Sequence, residues 1–194
     1  MNIYAMRHGR TNYNDLGLCN DDPSQHVYLT ELGIAQAQSA ALELRDVKFQ
    51  RVIVSPLPRT RQTAEIVNHY HGVPIEVHED IADLRSGFEG KPVGDYFAAI
   101  SHDPLQARVN GGESLLDYKR RILRFIDWLK LQQHETVLIV AHEDTMRVFF
   151  SYFQGGVEDS RLRDLHFANC EHRHYMVDSE KTLMEKLSLD KTKL

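Results

Sequence analysis

Cysteine is scarce in this chain of 194 residues, with only Cys19 and Cys170, far apart in sequence. Two such thiols make no disulfide framework, which excludes the small secreted scaffolds that depend on one and fits a reducing compartment. Long apolar runs are missing as well. None approaches the roughly 20 residues a membrane helix needs, and no basic segment leads into an apolar stretch at the N-terminus. Neither a signal peptide nor a membrane span is expected, and the cytoplasm is the expected location. Basic charge is not in excess either, since 23 Lys and Arg stand against 28 Asp and Glu, a net charge of −5 with His neutral. Nucleic-acid binding usually needs a basic face, so a positive field should be confined to a pocket. The six prolines and eleven glycines form no linker, and no repeat or low-complexity tract divides the chain. One domain spanning residues 1–194 is expected, long enough to bury a core.

What is present alternates between strand and helix patterns. Residues 2–6 read as a buried strand, followed by a polar loop to about residue 28. Thr30 is placed to cap a helix through about residue 46. The β-branched run Arg51–Val54 predicts a second strand, and Pro58 suits the first turn of a helix to about Tyr70. Residues 74–78 suggest a short third strand. An irregular segment from about residue 79 to 112 reads as an insertion with short helices over one end of the sheet. Leu115, Tyr118, Ile122, Phe125, Ile126 and Leu129 recur at helical spacing. Thr136–Ala141 is apolar nearly throughout, as a parallel strand covered on both faces should be. A helix from about Asp144 to Phe153, a last strand over His172–Val177 and a charged tail from about residue 179 complete the chain. This order predicts a three-layer α/β/α sandwich around a mainly parallel sheet.

Three groups suited to phosphate lie just past predicted strand ends: Arg7 with His8, Arg59, and His142. A guanidinium offers a planar fork of donors to phosphate oxygens, and a neutral imidazole can attack phosphorus. In parallel α/β sheets, ligands bind outside the carboxyl ends of the strands, so these distant residues should converge. Singly, each has a bland reading: a surface pair, a solvated helix-start arginine, a satisfied core histidine. Lys119-Arg120-Arg121 reads either as a solvated helix face or as part of a rim. His69/His71 and His172/His174 read as surface or sheet-edge residues, because no Cys or acidic cluster joins them at metal-site spacing. No metal or cofactor is expected.

Together these blocks resemble the histidine phosphatase superfamily, also called the phosphoglycerate mutase-like family. Arg7-His8-Gly9-Arg10-Thr11-Asn12-Tyr13-Asn14 is similar to its opening motif, and Leu29-Thr30-Glu31-Leu32-Gly33 to its first helix start. Ser55-Pro56-Leu57-Pro58-Arg59 through Gln62-Thr63-Ala64, Gly111-Gly112-Glu113-Ser114, and Val140-Ala141-His142 follow in family order. The resemblance implies that His8 takes the phosphoryl group as a phosphohistidine, which water then hydrolyses. It also implies that Arg7, Asn14, Arg59 and His142 hold the phosphate oxygens, chemistry that is mostly positioning and electrostatics. Gly9 would let the backbone turn closely beside His8. For the general acid it points to Asp83, where the family usually has Glu, with Glu89 and Glu113 as alternatives. Glu143 and Asp144 replace the family's usual small residues. They are expected to point away from the phosphate, or to select a substrate with a positive or hydroxyl-rich part.

The function implied is a metal-independent phosphomonoesterase of the histidine acid type, acting on a small phosphorylated metabolite, with neither nucleic acid nor membrane as partner. A cofactor-dependent phosphoglycerate mutase and a weakly catalytic module that binds phosphorylated ligands are the rivals. Specificity is expected from residues 79–112 and from the loop at 15–28.

Overall fold

The computed structural model describes residues 1–177. Five strands make one sheet: β1 (Asn2–Arg7), β2 (Arg51–Val54), β3 (Ile75–Val77), β4 (Thr136–Ala141) and β5 (His172–Met176). Their order is β3-β2-β4-β1-β5. The first four run parallel, and β5 adds an antiparallel edge against β1. The expected tail from residue 179 lies outside the described residues.

The apolar run Thr136–Ala141 is the central strand because both its faces are covered. Val137, Ile139 and Ala141 join one cluster with Ile3, Ala5 and Ile53 beneath α5 (Leu115–Lys130) and α6 (Glu143–Gln154). Leu138 and Val140 join the other cluster with Met6, Val52 and Val54 beneath α2 (Glu31–Leu44) and α3 (Pro58–Val67). Alternate residues of a strand face opposite ways, so an unbroken apolar run feeds both layers at once. All six apolar residues that predicted α5 are buried. A reciprocal cap starts that helix, with Ser114 Oγ accepting from the Asp117 amide and Asp117 accepting from the Ser114 amide.

One element was not expected. The polar stretch after β1 is no continuous loop, for it carries a short helix, α1 (Asn12–Leu16). Asn-Tyr-Asn-Asp-Leu has no apolar periodicity to announce a helix. It is set by Thr11 Oγ1 accepting from the Asn14 amide while Asn14 Oδ1 accepts from the Thr11 amide. Gly17 then ends it in the left-handed region at φ 64°. The insertion carries a single turn of 3-10 helix at Glu79–Ile81 and α4 (Val93–Ile100).

Register delivers the strand ends to one line. Arg7 is level with Ala141 across β1 and β4, and Val54 is level with Val140 across β2 and β4. The next residue on each strand is held by its neighbour: the His8 amide donates to Ala141 O at 3.0 Å and the Ser55 amide to Val140 O at 3.3 Å.

Gly9 serves a close approach rather than a turn. A Cβ there would lie 2.6 Å from the Gly33 carbonyl oxygen, and one on Gly33 would overlap the Arg10 backbone. The loop after β1 therefore rests backbone to backbone on the first turn of α2. Gly33→Ala should cost about 1–3 kcal/mol through forced separation of these segments. Urea denaturation checks this, and a change below about 0.5 kcal/mol, the usual range of a surface substitution, would contradict it.

Candidate active site

His8, Arg59 and His142 are 4%, 3% and 1% exposed, so three groups that normally seek water meet almost out of its reach. His8 leaves the end of β1 with Nδ1 2.8 Å from the carbonyl oxygen of Gly9. A carbonyl only accepts, so the ring proton sits on Nδ1 and the lone pair on Nε2. Arg59 Nε donates to that lone pair at 3.1 Å. The His8 and His142 ring centroids are 5.4 Å apart.

Arg59 occupies the first turn of α3, where Pro58 begins the helix. Its guanidinium spreads over the whole site. One Nη donates to Asn20 Oδ1, and the other reaches Asn20 O at 3.1 Å, Asp83 Oδ2 at 2.7 Å and His142 Nδ1 at 3.3 Å. His142 is the hinge between β4 and α6. Its Nε2 is 2.8 Å from Ser55 Oγ, and its Nδ1 is 3.3 Å from Asp83 Oδ2. Arg7 Nη1 donates to Phe167 O at 2.5 Å and pairs with Glu143 at 3.0 Å. Its buried Nε has no protein partner among the described residues.

Arg7, His8, Asn14, Arg59 and Asp83 line one cavity of about 450 Å³, with His142 buried just behind. The predicted site residues are thus brought together. Asn14 spends its side-chain oxygen on the α1 cap and on Asn169 Nδ2 at 3.4 Å, and its amide nitrogen donates no bond among the described residues. A larger groove of about 710 Å³ between α2 and α3 holds none of these residues. The chemistry of the lining, not size, marks the site.

The three candidate carboxylates separate clearly. Asp83 faces the cavity. Glu89 accepts from Asn20 Nδ2 at 2.9 Å and from the Asp21 and Asp22 amides at 2.7 and 2.9 Å, anchoring that loop. Glu113 is buried in an ion pair with Arg121 at 2.5 Å. Arg121 in turn donates to the carbonyls of Asp80 and Ala82 at 2.9 Å and of Asp83 at 3.2 Å. Of the basic triplet in α5, Lys119 and Arg120 make surface pairs with Asp159 and Asp117, while Arg121 holds the backbone that carries Asp83.

Glu143 and Asp144 both line the cavity instead of pointing away. Arg147, one turn along α6, pairs with Glu143 at 2.8 Å and Asp144 at 2.6 Å. Two guanidiniums, those of Arg7 and Arg147, thus neutralise carboxylates that would otherwise repel an anion. Other contributors had no signal in the local sequence. Asn20 comes from the first loop, and Asn169 Nδ2 donates to His8 O at 3.0 Å. The Cys170 amide reaches the carbonyls of both Arg7 and His8, with Cys170 itself in the left-handed region at φ 58°. Cys19 is buried at the cavity wall. His174, as anticipated, is a sheet-edge residue, stacked on Tyr4. Among the described residues no group of three or more His, Cys, Asp or Glu is arranged to hold a metal, and no helix is long and apolar enough to cross a membrane.

An α/β sandwich with a buried histidine pair and two arginines at the carboxyl edge of its parallel strands is a phosphate-handling architecture. The chain belongs to the histidine phosphatase superfamily, whose branch 1 model matches residues 3–190. It is 30% identical over 160 residues to the adenosylcobalamin/alpha-ribazole phosphatase of Salmonella typhimurium, covering 78% of each chain. It is also 30% identical over 180 residues to human 6-phosphofructo-2-kinase/fructose-2,6-bisphosphatase 4, covering 87% of this chain and 35% of that one. In structure it resembles the alpha-ribazole phosphatase from Shigella flexneri, with a TM-score of 0.82, 25% identity, and 92% and 91% of the two chains covered.

Burial, reinforced by the positive field of Arg59, holds both imidazoles neutral, well below the ordinary histidine value of 6.5. The unfolded chain takes up protons on both rings near that value, so it binds more protons than the folded chain at lower pH. Stability should therefore fall as pH drops below about 6.5, with a slope approaching about 2.7 kcal/mol per pH unit for two groups. Imidazole NMR should find both rings still neutral at about pH 6. Protonation of either near its ordinary value would contradict this.

Proposed function

We propose that this chain is a phosphomonoesterase of the histidine acid type, a single domain acting in the cytoplasm on a small phosphate monoester through a phosphohistidine. The observation that carries the reading is the His8 ring: neutral, its Nδ1 proton committed to Gly9 O, its Nε2 lone pair facing Arg59 in a cavity lined by cations. A histidine so fixed needs no base to activate it.

An incoming phosphate competes for the donors that Asp83 and Glu143 now occupy on Arg59 and Arg7. As Arg59 turns to the phosphate it uncovers His8 Nε2. Asp83, released from Arg59, is placed to act as the general acid at the leaving oxygen. Nε2 then forms a bond to phosphorus as the bond to the leaving oxygen breaks, and Asp83 gives its proton to that oxygen. Water attacks the phosphohistidine, Asp83 receives a proton from it, and His8 regains its lone pair as inorganic phosphate leaves. Arg7, Arg59, Asn14 and His142 hold the charge that grows on the equatorial oxygens. The phosphatases among the relatives support hydrolysis over return of the phosphoryl group to a bound product.

Release of inorganic phosphate from a panel of monoesters, with EDTA present, tests this directly. His8→Ala should reduce turnover by at least about a thousandfold; turnover retained in the variant would overturn the assignment. Asp83→Asn should slow alkyl phosphates by about a hundredfold, within the usual range for a lost acid, while sparing aryl phosphates whose leaving groups need no proton. Equal losses on both classes would remove Asp83 from the acid role.

A further inference from the structure

Four arginines line the cavity, and three of them have a carboxylate partner. Arg59 pairs with Asp83, Arg7 with Glu143, and Arg147 with Glu143 and Asp144. Arg163 is the exception. Among the described residues no carboxylate lies within 4.0 Å of it, although acidic side chains are plentiful nearby. Its guanidinium is nonetheless fixed. It stacks 5.6 Å from the Tyr96 ring centroid and 5.2 Å from that of Phe97, donates to Tyr96 Oη at 2.9 Å, and donates to Pro104 O at 3.2 Å. A guanidinium has five N–H donors, and these bonds use two. The remainder are held at the cavity wall without the entropy cost of ordering a free side chain.

Tyr96 supplies a second donor at the same place. It is 6% exposed, its hydroxyl oxygen accepts from Arg163, and its own hydroxyl proton has no acceptor among the described residues. Burial raises the Tyr96 pKa, so the proton stays. A buried donor without a partner costs free energy unless a ligand supplies the acceptor. The opposing carboxylates, Glu143 and Asp144, are already matched by the two guanidiniums of Arg7 and Arg147 and do not cancel the positive field of Arg163.

We propose that Arg163 and Tyr96 form a second anion site in the cavity, which selects phosphate monoesters whose leaving group carries its own anionic oxygens, a carboxylate or a second phosphoryl group. This rests on the phosphomonoesterase reading and places the charged half of the site, Arg163, on the segment before β5, while its other donor, Tyr96, lies in the 79–112 insertion to which the sequence pointed. Tyr96 and Phe97 come from α4, so the insertion provides the platform while Arg163 provides the charge.

Matched substrate pairs test it. 3-Phosphoglycerate differs from glycerol 3-phosphate by a carboxylate in place of a hydroxymethyl group, and fructose 1,6-bisphosphate differs from fructose 6-phosphate by a second phosphoryl group. The wild-type protein should prefer the more anionic member of at least one pair, and the pair showing the preference identifies which anion the site takes. Arg163→Gln should lower that preference, as a ratio of kcat/KM values, by at least about tenfold, the loss of one charge-assisted hydrogen bond. Arg163→Lys should restore part of it, which a merely structural defect would not allow. Tyr96→Phe should lower the same ratio by a smaller factor. A wild-type preference for the less anionic members, or a ratio unchanged in Arg163→Gln, overturns the second site. Absence of turnover on all four esters and on an aryl phosphate overturns the phosphomonoesterase reading instead.

Discussion

Arg59 carries a positive charge to a place almost closed to water, and the surrounding chain answers that charge. Burial of an ion is costly unless charge and hydrogen bonds replace the lost water. Here Asp83 supplies the opposite charge, Asn20 supplies two oxygens, and His8 supplies a ring lone pair. Each partner comes from a different stretch of sequence, so satisfying one guanidinium fixes the first loop, the start of the insertion and the end of β1 together. Burial first, and this charge second, lower the pKa of both imidazoles well below the ordinary histidine value. In the proposed mechanism, the ion that receives the phosphate thus helps preserve the lone pair that attacks it.

The fold contributes placement. Parallel register brings Arg7, Ser55 and Ala141 level, and the two glycine backbones at positions 9 and 33 let the loop after β1 lie directly on α2. Beneath the cavity, Arg121 collects three carbonyl oxygens of the 80–83 segment while Glu113 neutralises it. The family's usual Glu at the position of Asp83 has one more methylene of reach. In this chain the shorter side chain arrives at Arg59 and His142 because its backbone is held in place.

Much of this was legible in the sequence, for physical reasons that differ between elements. The β4 run shows itself because burial on both faces demands apolar residues at every position, and α5 because burial on one face demands them at helical spacing. Arg7, His8, Arg59 and His142 could be picked out because phosphate chemistry favours these side chains and parallel sheets gather strand ends. Helix α1 stayed hidden because it depends on the reciprocal Thr11–Asn14 cap, not on periodicity. The sequence left open whether Glu143 and Asp144 face the cavity, because their placement follows from Arg147 one turn along α6 and, for Glu143, from Arg7 at the end of β1. Asn20, Arg121, Arg163 and the Asn169–Cys170 turn act across long sequence separations, where no local pattern reports them.

The central claim is that His8 Nε2 is the atom that takes the phosphoryl group, because Nδ1 is committed to Gly9 O. The most direct measurement is to quench turnover of a labelled monoester under alkaline conditions, map the labelled peptide, and assign the phosphorylated ring nitrogen by NMR. The account predicts label on His8, bonded to Nε2 and released by acid. Label on another residue, label on Nδ1, or rapid turnover with no labelled intermediate would contradict it.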